Sequence, residues 1–149
     1  MALGWTLLWA FLDKTFGLGY ATASSSSWLN GGSPTAGYLQ YASEGLLADF
    51  WSGLSGNSVV DALFMLALVA VGAAMILGVG QRIAGISGAA LMLLLWSTRL
   101  PPENNPFLDD HIVYALIFVG TIFVKPGRWW GLGDWWANST IVKRFPVLE

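Results

Sequence analysis

From Ser58 to Val79 the chain carries one ionisable side chain, Asp61, close to its start, and is apolar from there on. A helix over this run, rising 1.5 Å per residue, reaches the roughly 30 Å of a bilayer's hydrocarbon core. With 55% hydrophobic and 11% charged residues, against a usual quarter or so, the chain holds more apolar surface than a soluble domain of 149 residues buries. It is expected in a membrane. A net charge of -2 offers no basic stripe for phosphates, so nucleic acid is not an expected partner. The absence of cysteine removes dithiol exchange, thiolate zinc sites and iron–sulfur ligation, and a single histidine removes a haem held by two imidazoles of this chain.

Three further runs read as spans. Gly80 to Thr98 ends at Trp96, Arg99 and the pair Pro101 and Pro102, which cannot continue a helix. Asp110 to Lys125 is short but uninterrupted, and Ala2 to about Tyr20 carries Asp13 and Lys14 within it. That first run has no basic flank before it and an acid and a lysine late in it, so it reads as a true span and not as a signal peptide. The expectation is an all-α integral membrane four-helix bundle, 1–149, with spans at 2–20, 58–79, 80–98 and 110–125.

Arg82 follows span two, and Lys125, Arg128, Lys143 and Arg144 follow span four, whereas the long segment 21–57 has no Lys or Arg. The positive-inside bias therefore predicts both termini, and the tail 126–149, on the cytoplasmic side. Most of the nine acids then lie at or beyond the outer half of the membrane. Trp28, Trp51 and Trp96 suit the outer interface, and Trp129, Trp130, Trp135 and Trp136 the inner one.

Between spans one and two, Ser24 to Ser27 and Asn30 to Gly32 read as connector. Ser33 and Pro34 are an N-cap and a first-turn proline, and Leu39, Leu46, Phe50 and Leu54 recur at helical spacing. One or two outer-face interfacial helices are predicted over 33–54, broken near Gly45, serving either as an anchor or as a gate. In span three, Gly80, Ala84 and Gly88 recur every fourth residue, a face on which a neighbouring helix can pack closely. Met65, Met75 and Met92 read as gap-filling core.

The polar residues Asp13, Lys14, Asp61, Arg99, Glu103, Asp109, Asp110 and His111 border the spans at one end. Asp109 or Asp110, and Asp61, are expected as helix N-caps. Asp13 and Lys14 lie deep enough in an apolar span to demand partners, so Lys14 is expected against an acid of span two or four. His111 and Tyr114 share a helix face, and a histidine, a tyrosine and carboxylates at a bilayer surface suit hydrogen bonding to a quinone carbonyl and outward proton transfer. Pro101, Pro102 and Pro106 stiffen the loop that presents them.

The stretches "LGWTLLWAFLDKTFGLGYAT", "WLNGGSPTAGYL", "GNSVVDALFMLALVAVGAAMILGVGQRIAGISGAALMLL", "LPPENNPFLDDHIVYAL" and "WGLGDWW...VKRFPVLE" cover nearly the whole chain. In them it resembles the DoxX/DoxD family of small four-helix prokaryotic membrane proteins, most specifically in the run from Pro101 to His111. The resemblance implies a bundle associated with quinone-linked respiratory electron transfer, similar to the membrane subunit of a thiosulfate:quinone oxidoreductase. Two readings follow. In one, an outer pocket built from Asp13, Lys14, Asp61, Arg99, Asp109, Asp110, His111 and Tyr114 binds quinone and a small anion such as thiosulfate, drawn by Lys14 and Arg99. In the other, the chain is a non-catalytic accessory subunit packed against other respiratory membrane proteins.

Overall fold

The computed structural model describes residues 1–102, 105 and 107–149. Glu103 and Pro106, two members of the expected polar loop, lie outside the described residues. Among the described residues the fold is all-α but for one two-residue parallel pairing.

Four longer helices make the frame: α1 (Ala2–Phe16), then, after the short α2 (Ala36–Tyr41) and α3 (Ala48–Ser52), α4 (Ser58–Leu77), α5 (Gln81–Ser97) and α6 (Asp110–Val124). Each stops where local chemistry stops it. At Gly17, φ is 64° and the N–H bonds Asp13 O, while the Asp13 carboxylate accepts the N–H groups of Tyr20 and Ala21. That turn ends α1 short of the expected Tyr20. Asn57 caps α4, accepting from Val59 N at 2.9 Å, so the expected cap, Asp61, is a first-turn residue free for another use. Asp109 does cap α6, accepting from Ile112 N at 3.2 Å.

α1 packs along α4 and α5 along α6, whereas α4 and α5 meet more sparsely. Glycines set the two close packings. A Cβ on Gly72 would stand 2.9 Å from Leu8 N, and one on Gly4 2.8 Å from Gly72 O. A Cβ on Gly88 would strike the ring of Phe118, which is fully buried. The small face of α5 is thus Ala84, Gly85 and Gly88; Gly80 precedes the helix in a left-handed conformation and takes no part in it. Met65, Leu68, Met75 and Met92 fill the core with Phe118.

Where one or two helices were expected, segment 33–54 forms two short ones, and the break falls at Glu44–Gly45 (β1), which pairs in parallel with Arg99–Leu100 (β2). After α6, the segment 127–149 folds back through α7 (Gly127–Trp130), α8 (Gly133–Ala137) and α9 (Thr140–Arg144) over the far end of the bundle. Leu132 N donates to Leu77 O, Gly127 N to Gln81 Oε1, and Arg82 N to Glu149 O. The Glu149 carboxylate meets Lys125 at 2.8 Å and also Arg128, and these cations hold it below its ordinary pKa. Among the described residues, α4 is the one helix long and apolar enough to cross a membrane by itself; α6 is apolar but shorter.

Candidate functional site

α4 presents Val60, Leu63, Phe64 and Ala67, and α5 presents Ser87, Ala90, Leu91 and Leu94, each set at positions i, i+3, i+4 and i+7 along one helix face. Facing stripes at this spacing normally interdigitate. Here they stand apart, and a cavity of about 590 Å³ lies between them. α2, α3 and the turn after α3 roof it with Tyr38, Leu39, Trp51 and Leu54. Lys14, Thr35, Tyr38, Thr98 and His111 put most of its polar groups at the roofed end, and Ser87 adds one hydroxyl further along α5.

The roof is held from three helices. From α4, the Asp61 carboxylate, 5% exposed, accepts hydrogen bonds from Ser33 Oγ (2.9 Å), Thr35 N (3.1 Å) and Thr35 Oγ1 (2.6 Å). From α1, Lys14 Nζ donates to Pro34 O at 3.0 Å. From the end of α5, Thr98 gives its hydroxyl proton to Leu95 O (2.6 Å), so the 2.9 Å contact with Tyr38 has the phenol as donor. The strand pair adds Glu44 N to Thr98 O and Leu46 N to Leu100 O, and Arg99 Nε donates to Ala42 O. Segment 33–54 is therefore a fixed roof in this structure. Ser33 Oγ also accepts from Ala36 N at 3.1 Å, but α2 begins at Ala36 with Thr35 at its N-cap position, so the expected Ser33 cap and first-turn Pro34 lie in the turn that precedes the helix.

Lys14 was expected against a carboxylate, yet among the described residues it makes no ion pair. The two nearest acids are already used: Asp13 by backbone N–H groups of the following turn and Asp61 by the roof. With one bond to Pro34 O, the ammonium keeps two N–H donors at the cavity edge.

His111 borders two spaces. One is the apolar cavity; the other is a polar pocket of about 460 Å³ that Glu44, Arg99, Asp109 and Asp110 also line. Its Nδ1 lies 2.7 Å from Asp109 Oδ2. Burial pushes the Asp109 carboxyl up, but hydrogen bonds from His111 and from Ile112 N outweigh it and hold the group below its ordinary 3.8. Arg99 leans over the Tyr38 ring, its Cζ 5.9 Å from the centroid. Tyr114, one turn on from His111, lines neither space and is exposed.

Of the expected site residues, Lys14 and His111 thus meet at the cavity, Arg99, Asp109 and Asp110 at the adjoining pocket, and Asp13 and Asp61 serve the turns around them. Tyr38, Thr98 and the α4 and α5 stripes escaped the sequence reading. The stripes were legible as a helical period, but a period does not say whether the facing helix closes on it. Among the described residues no three His, Cys, Asp or Glu side chains cluster as a metal site. Comparison with known protein families, curated proteins and solved structures finds no match.

Proposed function

We propose that the chain is an integral membrane subunit of quinone-linked electron transfer in a prokaryotic plasma membrane, crossing four times through α1, α4, α5 and α6 with both termini cytoplasmic. The cavity between α4 and α5 is its quinone site. One observation carries this reading: a long apolar space whose polar groups, the Ser87 hydroxyl apart, stand at one end, two N–H donors of Lys14 and the imidazole of His111 among them. A quinone has that polarity, with a carbonyl head that accepts hydrogen bonds and a hydrocarbon remainder. The membrane assignment is supported by the outward faces of the helices, where Leu66, Ile86, Leu93, Leu116 and Phe123 are exposed. α1 and α6, about 22 Å long at 1.5 Å per residue, span with their flanking segments at headgroup depth.

The bound quinone is the redox group in this reading. Lys14 and His111 would donate hydrogen bonds to its carbonyl head, and His111, which borders both spaces, would relay protons to the polar pocket. The test is gentle purification followed by extraction and identification of lipophilic molecules. Quinone should accompany the native protein and be lost from Lys14→Met and His111→Ala while both remain folded. Native protein free of quinone, and unable to take it up from lipid vesicles, overturns the reading.

A second reading, a non-catalytic accessory subunit, is favoured by one observation: Asp13 and Asp61, the most deeply buried acids, are fully engaged in holding turns. Stable copurification with larger respiratory proteins, and no quinone, is its signature.

A further inference from the structure

We infer that the open flank between α4 and α5 is a tail groove, holding the hydrocarbon chain of the ligand whose head sits at Lys14 and His111. The inference rests on the membrane and quinone reading above. The argument begins with the roof: bonds to Asp61, Lys14, Thr98 and β2 fix it over the polar end, so a long ligand has no room to extend that way. Along the flank, from Leu63 and Leu94 just under the roof to Ala90 and Ser87 further along α5, the residues lining the cavity are exposed. The space therefore opens sideways, on the surface that faces lipid in the proposed orientation. Small side chains, Ala67 opposite Ser87 and Ala90, keep it open.

From Thr98 to Ser87 the groove follows about 16 Å of helix at 1.5 Å per residue. Apart from the Ser87 hydroxyl, its polar groups stand at the roofed end of that length, so a bound molecule is oriented head to roof and tail along α5. A ring alone fills only the roofed end. The tail should then contribute affinity through contacts at Ala90 and Ser87 that the head does not touch.

Binding is read by quenching of tryptophan fluorescence in the purified full chain, using a benzoquinone and a naphthoquinone, each with and without a prenyl tail. The variants are Ala90→Phe and Ser87→Phe, with Leu93→Phe as control, since Leu93 is exposed on α5 but does not line the cavity. The tailed form should bind the unmodified chain about tenfold or more tighter than its tail-less partner, the worth of roughly two buried methylenes. Ala90→Phe and Ser87→Phe should erase that difference and leave the tail-less affinity within about twofold, and Leu93→Phe should change neither. Equal binding of tailed and tail-less forms by the unmodified chain, or a difference that survives Ala90→Phe and Ser87→Phe, overturns the tail groove and leaves the quinone reading standing. Failure of all four quinones to bind removes both. Unchanged binding with a changed oligomeric size in Ala90→Phe assigns the groove to a protein neighbour and overturns the inference.

Discussion

Asp61 illustrates how a single buried group organises its surroundings. An ionised carboxylate out of water is costly unless hydrogen-bonded, and Asp61 collects three donors from Ser33 and Thr35. Asp61→Ala strands those donors at about 1 to 3 kcal/mol for a buried unsatisfied group. The expected outcome is a lower unfolding midpoint together with proteolytic cleavage within 33–54, which intact α4 and α5 would not show. Asp109 allows a test by pH. Its folded pKa lies below the ordinary 3.8, so its ionised form stabilises the folded chain above that value, and the contribution disappears as pH falls from there through the lowered folded pKa. Asp109→Asn keeps a side chain able to cap α6 but has no charge to titrate. Its unfolding midpoint should fall less steeply below pH 3.8 than that of the unmodified chain.

Among the elements, helix-to-helix spacing is set by where a side chain is missing. Gly4 and Gly72 let the backbones of α1 and α4 touch, and Gly88 makes the slot for Phe118 between α5 and α6. Gly72→Val forces the first pair apart and should destabilise the fold by about 1 to 3 kcal/mol, the cost of overpacking. Gly120→Val, on the open side of α6 where nothing stands within 4 Å, is the matched control and should have a much smaller effect. Comparing the two by denaturant unfolding in one detergent gives the difference directly. The start and stop of each helix were largely legible, because caps such as Asp109 and the breaking prolines act within one turn. The choice of Asn57 over Asp61 as the α4 cap was less so: both stand near the start of the apolar run, and the roof's demand for an acceptor claims Asp61 from far away in the chain.

For the whole molecule, the proposed orientation makes a direct prediction. Cysteines placed at Ser26 and Asn138, both exposed, should react with an impermeant reagent from opposite sides of the membrane, Ser26 from outside. Labelling of both from outside reverses the proposed orientation of the site. Hydropathy, glycine and proline positions and charge are local properties, and from them the helical class, the rough helix ranges and the clustering of polar residues at one end could be read. The arrangement at that end could not. Lys14 bonds Pro34 O and not an acid, Tyr38 reaches Thr98, and the segment 127–149 folds back onto Leu77, Gln81 and Arg82. Each of these outcomes is a competition among polar groups distant in sequence, decided by which of them the packed helices bring within about 3 Å. The cavity has the same origin. Two helical stripes of equal period close or stand apart according to the distance between their axes, and in this fold α4 packs closely on α1 and α5 on α6 while α4 and α5 meet more sparsely, with the roof across their ends.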